Sequence, residues 1–315
     1  MNLNRERIAF LFPGQGSQSV GMGKELAAAY PKADEIYQEA DGILDLSLSK
    51  IAWDGPEHEL NDTVNTQPAL FVHSIAVLKI FQEVYPNLQP DFVAGHSMGE
   101  LSALVAAGAL QFKEGLQLVR ERGVLMKEAG EKSPGGMAAI IGLDINEIEV
   151  ICSTASSEDE IVQVANDNCP GQVVISGSAL ALDRAMVLAQ ESGARRVVRL
   201  AVSIAAHSPL MGHAQDRFNQ AVDAVSFTDP IIPIIGNVKA QPINLVDDIR
   251  IDLQAQLNSR VRWTESIQYM RAQGISTFLE IGNNSVLTGL LKRIDRKAVG
   301  FSVGNPEDLA KFTSI

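Results

Sequence analysis

Cysteines, basic residues and long apolar runs are scarce in this sequence. Cys152 and Cys169 are its only cysteines, too few for a disulfide framework and not at metal-site spacing. We expect two reduced thiols, as in a cytoplasmic protein. No window approaches about 18 uninterrupted apolar residues, and the N-terminal apolar run is too short for a signal peptide. The sequence therefore predicts a soluble, unexported protein rather than a membrane-spanning or disulfide-stabilised one.

The deficit of basic residues limits the possible partners. Lys and Arg number 26 against 38 Asp and Glu, which gives a net charge of −12. Nucleic acid needs a basic surface for its phosphates, so we exclude it as a general partner.

With 46% hydrophobic and 20% charged residues in 315 positions, the composition is that of a soluble globular enzyme. The length allows one large core and a second, smaller one.

Short apolar runs that stop at Gly or Pro predict buried strands followed by tight loops. Such runs lie at 8–12, 92–97 and 278–282. Helical periodicity separates them, at 67–84, 98–110, 113–129, 209–224, 246–257 and 263–273. Strands that alternate with helices predict an α/β fold with a mostly parallel sheet covered on both faces.

The middle of the chain follows a different order. From 137 the pattern reads strand, helix 145–154, strand, turn, strand, helix 178–192, strand, and this βαββαβ order is that of a ferredoxin-like unit. We therefore predict a ferredoxin-like subdomain at 133–202, inserted into a large α/β domain formed by 1–132 and 203–315. Their junction is expected to form a cleft.

A lone serine stands between two glycines where a predicted strand turns into a helix. The segment Gly95-His96-Ser97-Met98-Gly99 has the G-x-S-x-G pattern of a nucleophile elbow, whose sharp turn exposes the serine oxygen. The backbone N–H of Met98 points at the same spot from a helix N-terminus. A serine that only caps a helix is the simpler alternative; the two glycines favour a nucleophile.

A serine nucleophile needs a base, and the chain has five histidines. His96 is excluded because neighbouring residues at an elbow point apart. His58 falls in a polar loop, and His73 and His213 fall in helical patterns, where packing explains them. His207 lies in the loop that leaves the inserted unit, before a Ser-Pro helix start, and it therefore faces the predicted cleft. A structural role stays possible, but His207 is the best partner for Ser97.

Arg122 lies on the apolar face of the 113–129 helix, so we expect it to be buried. Its helical neighbours are Leu118, Val119, Leu125 and Met126, and a buried guanidinium without an anion would cost several kcal/mol. If the 98–110 and 113–129 helices form a hairpin, Arg122 lies about one turn, ~6 Å, from the level of Ser97. The anion is then a substrate carboxylate held bidentately, or else a distant Asp or Glu in a structural salt bridge.

The loop FPGQGSQ (12–18) follows the first strand. It lacks the glycine spacing of a nucleotide-phosphate loop. Because it lies beside a strand that ends in the nucleophile, we expect it to donate an oxyanion N–H, from Gln15.

Seven segments resemble, in order, the motifs of the malonyl-CoA:acyl carrier protein transacylase family, the acyltransferases of fatty acid and polyketide synthesis. They are FLFPGQGSQSVGMGKEL, GHSMGELSALVAAGAL, LVRERGVLMKEA, NDNCPGQVVISG, VSIAAHSPLM, LNSRVRWTESIQYM and VLTGLLKRI. The resemblance covers almost the whole chain. It implies an α/β-hydrolase-like core with a ferredoxin-like insert, in agreement with the organisation inferred above.

The resemblance also implies the catalytic residues. Ser97 matches the nucleophile, His207 the base, and Arg122 the arginine that anchors the acyl carboxylate. In this family a main-chain carbonyl, here of Gln256, orients the histidine in place of an acidic third member. Two segments depart from the family pattern: Ala205-Ala206 before the histidine, and GNNS at 282–285.

Further site residues follow from the same resemblance. The backbone amides of Gln15 and Met98 would form the oxyanion hole. Gln15, Gln67, His96 and Asn166 would contact the substrate.

Two basic stretches would dock the acidic carrier protein. They are RRVVR at 195–199, with Arg196, and LKRIDRK at 291–297, with Lys292 and Arg293. Simple solvated charge is the alternative explanation for both.

The function implied is ping-pong transfer of a malonyl group from coenzyme A to the phosphopantetheine thiol of acyl carrier protein through a seryl acyl-enzyme, in fatty acid biosynthesis. Malonyl-CoA is then a substrate, and we expect no cofactor and no metal. The protein is expected to be a cytoplasmic monomer with no nucleic-acid or membrane partner. Open alternatives are a polyketide-type acyltransferase using malonyl or methylmalonyl groups, an acyl-thioester hydrolase, and a catalytically silent docking subunit.

Overall fold

The computed structural model describes residues 7–201 and 204–312 as a mixed α/β protein with two sheets. The strands of the larger sheet are β1 (Ile8–Phe12), β2 (Phe92–Gly95), β7 (Ile234–Ile235), β8 (Pro242–Ile243), β9 (Thr277–Ile281) and β10 (Val299–Val303). Their order is β10-β9-β1-β2-β7-β8, and all pairs are parallel except β7 with β8. The predicted α/β class with a mostly parallel sheet is confirmed.

Helices cover both faces of this sheet. In chain order, the helices of the structure, including α8 and α9 of the second sheet, are α1 (Lys24–Ala29), α2 (Pro31–Leu44), α3 (Leu48–Asp54), α4 (Glu57–Leu60), α5 (Thr63–Val84), α6 (Gly99–Ala106), α7 (Phe112–Lys132), α8 (Ile145–Ala155), α9 (Ala179–Glu191), α10 (Gly212–Ala224), α11 (Val246–Gln256), α12 (Trp263–Ala272), α13 (Val286–Ile294) and α14 (Pro306–Phe312). Strand β1 shows why two covered faces are needed. Ile8, Phe10 and Phe12 enter one core and Ala9 and Leu11 the other, so the strand is apolar at every position.

The second sheet is formed by the middle of the chain. Its strands are β3 (Gly135–Ile141), β4 (Val162–Cys169), β5 (Gln172–Ser178) and β6 (Arg196–Arg199), in the order β4-β5-β3-β6 with every pair antiparallel. Helices α8 and α9 pack on one face. On the other face, Met137, Ala165 and Val174 join the large core. The strand and helix order agrees with the predicted βαββαβ sequence.

Several sequence expectations need correction. His58 lies in helix α4 and not in a loop. The predicted 98–110 helix ends at Ala106, because the chain turns at Gly108 with a φ of 71°. The helices between 24 and 60 and those after 285 were missed. Most of them have nine residues or fewer, but α2 spans 14 residues and buries Ile36, Tyr37 and Ala40 on one face, a signal that was available.

The boundary predicted after 132 coincides with the end of helix α7 at Lys132, whereas the boundary at 202/203 lies outside the described residues. Cys152 and Cys169 are buried and unbridged. Within 7–201 and 204–312, no helix combines the length and the apolarity that crossing a membrane requires.

Candidate active site

Ser97 occupies the turn between strand β2 and helix α6, with a φ of 51°. The turn is tight because the flanking glycines leave no room for a side chain. A Cβ on Gly95 would lie 2.0 Å from the carbonyl carbon of Gly99, and one on Gly99 would lie 2.3 Å from the Phe12 carbonyl oxygen. The left-handed conformation at Ser97 is costly for a residue with a Cβ. Ser97 therefore forms a strained elbow and does not cap α6 through its side chain.

His207 contacts the serine hydroxyl. Its Nε2 lies 2.8 Å from Ser97 Oγ, and its Nδ1 lies 2.9 Å from the Gln256 carbonyl oxygen and 3.2 Å from that of Ser259. Since a carbonyl can only accept, Nδ1 carries the proton and Nε2 is free to take one from Ser97. Burial, followed by the charge of Arg122, lowers the pKa of His207 to about 3. The imidazole is therefore neutral and can act as a base near neutral pH.

The loop that carries these carbonyls is held by the second sheet. Gln163 of strand β4 donates to the carbonyls of His207 at 2.8 Å and Asn258 at 3.2 Å. Val261 pairs with the same strand: its N–H donates to the Ala165 carbonyl at 2.8 Å. The edge of β4 thus braces the backbone on both sides of the imidazole.

Arg122 is 2% exposed, as the helical pattern predicts. Its guanidinium donates to Ser97 Oγ at 3.1 Å, to Gln67 Oε1 at 2.7 Å and to Gln256 Oε1 at 2.9 Å. All three acceptors are neutral, and among the described residues no carboxylate forms an ion pair with it. Burial lowers the pKa of Arg122 to about 10, so the group stays charged at neutral pH. A buried cation with neutral partners is a site for an anionic ligand.

The backbone amides of Met98 and Gln15 flank the elbow. In the parts of the chain that the structure describes, neither N–H donates to another protein group, so both are available to an oxyanion. The Gln15 side chain is turned away, since its Oε1 accepts from Thr63 Oγ1 at 3.0 Å. His96 is likewise engaged elsewhere, with Nε2 2.8 Å from Asn168 Oδ1.

A groove of about 660 Å³ opens beside Gln15. Pro134, Ala201 and Ile204, which belong to the connections between the two sheets, line one side, and Asn61 and Thr63 lie in the wall as well. The groove therefore lies where the sequence predicts a cleft.

Some predicted residues are not in contact with Ser97. Asn166 is buried in strand β4 and its backbone bridges to Val261. Arg196 and Lys292 are exposed, on strand β6 and helix α13. Arg293 donates to the carbonyls of Pro170 at 3.2 Å and Gly171 at 3.3 Å, so it links α13 to the turn between β4 and β5.

Three residues of this region were missed by the sequence reasoning. Asn237 accepts from the Ser97 N–H at 2.8 Å and donates to the Gly95 carbonyl at 2.7 Å. Glu100 accepts from Gln256 Nε2 at 2.8 Å, and Asp252 accepts from the Val238 N–H at 3.4 Å, beside the Asn237 N–H that Glu100 accepts. The position of Asn237 just after β7 was an available signal, because functional residues collect at the carboxyl ends of parallel strands.

The two segments that depart from the family pattern have defined places. Ala205 and Ala206 are buried directly before the base. Asn283 and Asn284 both donate to the Ser17 carbonyl, at 2.6 and 2.7 Å, and thereby fix the end of the loop that presents Gln15.

Comparison with known proteins identifies the family. The acyl transferase domain family matches residues 9–304. The malonyl CoA-acyl carrier protein transacylase of Bacillus subtilis is 46% identical over 303 residues, covering 96% of this chain and 95% of that protein. The malonyl CoA-acyl carrier protein transacylase structure from Coxiella burnetii superposes with a TM-score of 0.95 at 41% identity, covering 98% and 97% of the two chains. A structure of a malonyl-transacylase in complex with a type II PKS acyl-carrier protein gives a TM-score of 0.94 at 40% identity, covering 97% and 98%.

The serine-histidine elbow on a mostly parallel sheet, together with these matches, shows that the chain belongs to the acyl transferase family. Within that family, the relatives described above carry the name malonyl CoA-acyl carrier protein transacylase or malonyl-transacylase.

Proposed function

We propose that the protein transfers a malonyl group from coenzyme A to the phosphopantetheine thiol of an acyl carrier protein, as in fatty acid biosynthesis. One observation carries the proposal. Ser97 Oγ is within hydrogen-bond distance of both His207 Nε2, at 2.8 Å, and a buried guanidinium of Arg122, at 3.1 Å. The nucleophile, its base and an anchor for a carboxylate therefore meet at one atom.

In the first half-reaction Ser97 Oγ attacks the thioester carbonyl while His207 Nε2 takes its proton. The amides of Met98 and Gln15 hold the oxyanion. When the tetrahedral intermediate collapses, the C–S bond breaks and His207 returns the proton to the departing CoA thiolate. The residues supply all groups for this step, so malonyl-CoA enters as a substrate and no cofactor takes part.

Arg122 selects the acyl group. Its guanidinium reaches the hydroxyl that becomes acylated, so the free carboxylate of a malonyl group lies within reach of a bidentate contact. Gln67 and Gln256 accept from the same guanidinium and fix its plane. The buried cation gains an anionic partner only with a carboxylated acyl group, which favours malonyl over acetyl.

In the second half-reaction the carrier's thiol attacks the malonyl ester, with His207 taking the thiol proton and returning it to Ser97. We propose that Arg196, Lys292 and Arg293 help to dock the carrier. The two basic stretches adjoin each other: the Gly142 N–H donates to the Gly171 carbonyl, Arg195 packs against Gly142, and Arg293 lies against Gly171. Their charges thus form one exposed surface at the seam of the two sheets.

The finer assignments of architecture belong to the same proposal. The order β4-β5-β3-β6 with helices α8 and α9 on one face fits a ferredoxin-like unit, inserted at 133–202 into an α/β-hydrolase-like domain of 1–132 and 203–315. The protein is proposed to act as a cytoplasmic monomer.

Three further residues are proposed to shape the substrate site. Gln67 would contact the substrate through Arg122, and His96 and Asn166 would line the site from the side of strand β4.

Mass analysis of the acyl-enzyme tests the proposal. Wild type incubated with equal malonyl-CoA and acetyl-CoA should carry a malonyl group on Ser97, and Ser97→Ala should carry none. Arg122→Ala should lose about 100-fold or more in malonylation, because a buried charged hydrogen bond is removed, while its acetylation is retained or gains.

Arg120→Ala is the matched control, since Arg120 on the same helix contacts Val64 and Asn65 instead. Unchanged selectivity in Arg122→Ala would refute the anchor. A malonyl-enzyme that hydrolyses within minutes without a thiol acceptor would favour a thioester hydrolase. Absence of any adduct on wild type would favour a docking subunit.

A further inference from the structure

A buried pair of carboxyl groups lies directly behind the elbow. Glu100, in the first turn of helix α6, is 1% exposed, and Asp252, on helix α11, is 6% exposed. The two carboxyl groups accept from adjacent backbone amides, Glu100 from the Asn237 N–H at 3.3 Å and Asp252 from the Val238 N–H at 3.4 Å, and therefore lie next to each other. Neither group contacts Ser97 Oγ or His207, so the transfer chemistry described above leaves this pair unused.

Glu100 holds two groups of the site. Its Oε2 accepts from Gln256 Nε2 at 2.8 Å and from the Asn237 N–H at 3.3 Å. Gln256 turns its other amide atom to Arg122, with 2.9 Å between Oε1 and the guanidinium. An amide held at its nitrogen by an acceptor can only offer its oxygen on the opposite side. Glu100, together with the Ser97 carbonyl that accepts from the same nitrogen at 3.3 Å, therefore determines which face of Gln256 meets Arg122.

The hydrogen-bond inventory requires a proton between the two carboxyl groups. Asp252 Oδ2 is buried and receives no hydrogen bond from a nitrogen or hydroxyl group of the described residues. Glu100 Oε2 is already occupied by two donors, which leaves Oε1 to carry a proton toward Asp252. Two buried like charges in contact would be unstable. Burial, reinforced by Asp252, raises the pKa of Glu100 well above its usual range.

We propose that Glu100 is a positioning residue that works as a neutral carboxylic acid: it donates its proton to Asp252 and, through Gln256, fixes the Arg122 guanidinium beside Ser97. The inference rests on the proposed malonyl transfer. The charged groups that act on the pair are Arg122 from helix α7 and Lys239 from the segment after β7. Asp252 then carries the negative charge, and the carboxyl that is linked to Arg122 through Gln256 is neutral, so the guanidinium keeps its attraction for the malonyl carboxylate.

The proposal predicts different malonylation rates for two isosteric variants, Glu100→Gln and Asp252→Asn. Glu100→Gln can donate from its amide nitrogen to Asp252 and accept from Gln256, so its malonylation rate and its malonyl-to-acetyl ratio should stay within about threefold of wild type. Asp252→Asn removes the second carboxylate, and its amide nitrogen can donate to an ionised Glu100, so the negative charge moves to Glu100, the carboxyl that is linked to Arg122 through Gln256. Malonylation should then fall about tenfold, the loss expected for one weakened hydrogen bond to a charged group, with acetylation little changed.

Glu100→Leu keeps the buried volume but frees Gln256, and its malonyl-to-acetyl ratio should fall about 10- to 100-fold. Glu280→Gln is the control, because Glu280 is a buried carboxyl that bonds to Leu287 and Thr288 away from the elbow. Its selectivity and its pH–rate profile should match wild type.

Three results would overturn the inference. These are a Glu100→Gln variant as impaired as Glu100→Leu, equal tolerance of Glu100→Gln and Asp252→Asn, or a Glu100→Leu variant that loses stability with unchanged selectivity. If Glu100→Leu does not fold, the two isosteric variants still decide. If the proposed malonyl transfer itself is wrong, mass analysis will instead show wild-type protein without a malonyl group on Ser97.

Discussion

At the scale of single residues, the site depends on two backbone conformations that a side chain normally avoids. Ser97 has a φ of 51° and His207 a φ of 59°. Both side chains are thereby turned toward each other across the gap between the two sheets. The sequence located both residues, Ser97 by its glycines and His207 by elimination. It did not locate Asn237, because an asparagine after a two-residue strand has no local pattern.

The depressed pKa of His207 has a consequence for activity. Only the neutral imidazole can take the Ser97 proton, and this form is lost as pH falls through the pKa. Burial, with help from Arg122, lowers that pKa to about 3. The acylation rate should therefore stay level between about pH 7 and pH 5, where a histidine of ordinary pKa would lose about 30-fold.

Stopped-flow acylation with acetyl-CoA, whose acyl group carries no carboxylate, measures this profile. Arg122→Ala removes the positive charge that helps to lower the pKa of His207, so the midpoint of its pH–rate profile should move to higher pH. A wild-type midpoint near 6.5 would contradict a neutral, buried base.

At the scale of elements, the elbow brings strand β1, strand β2 and helix α6 into backbone contact. Gly99 packs against the Phe12 carbonyl at the end of β1, which is why α6 can start directly at the sheet. Alternating strands and helices were predictable here because β1 and β2 are short and uniformly apolar. Helices α1, α3 and α4 were not predicted, because segments of 6, 7 and 4 residues are too short to show a helical period.

Two glycine-to-alanine substitutions should change the free energy of unfolding in opposite directions, one through close packing and the other through helix propensity. Gly99→Ala should lower the free energy of unfolding by about 1–3 kcal/mol, since the new Cβ overlaps backbone that cannot move aside. Gly289→Ala, in the exposed middle of α13 where nothing lies within 4 Å of a Cβ, should raise it by roughly 0.5–1 kcal/mol.

Urea titration followed by circular dichroism measures both variants. An unchanged midpoint in Gly99→Ala would show that the elbow tolerates a side chain and that its glycines have another purpose.

At the scale of the whole molecule, an acidic chain brings exposed basic residues together. The net charge is −12, yet Arg195, Arg196, Lys292 and Arg293 are exposed, and Arg195 and Arg293 lie against Gly142 and Gly171, which bond to each other. The sequence predicted the two basic stretches but could not show that they adjoin. Their proximity comes from the Gly142–Gly171 contact, which joins segments with no local relation.

Charge reversal on this surface should affect one substrate only. Arg196→Glu and Lys292→Glu should each raise the KM for the carrier protein about fivefold, because a surface charge pair becomes a repulsion. The KM for malonyl-CoA should not change. Steady-state kinetics at two salt concentrations measures the effect, which salt should reduce.

Lys50→Glu, an exposed lysine of helix α3, makes the same change in net charge and controls for it. An equal rise in the carrier KM for Lys50→Glu would show that total charge, and not this surface, governs docking.

Sequence reasoning thus recovered the fold class, the strand and helix order of the second sheet, and the three side chains that meet at the elbow. In the larger sheet it found β1, β2 and β9 and missed β7, β8 and β10. It could not recover the contacts behind the three side chains. Glu100 lies 137 positions before Asn237 and 152 before Asp252, and only tertiary packing brings it to them.

The bracing of the imidazole loop by strand β4 also limits how this protein can be re-engineered. The backbone beside the carbonyls that orient His207 is tied to Gln163 and Ala165 of the second sheet, at Asn258 and Val261. Exchanging 133–202 for the equivalent portion of a relative keeps a backbone carbonyl at 165, but it removes the Gln163 amide wherever the relative has no donor there. Such a chimera would keep Ser97, His207 and Arg122 and still loosen the loop that orients its base.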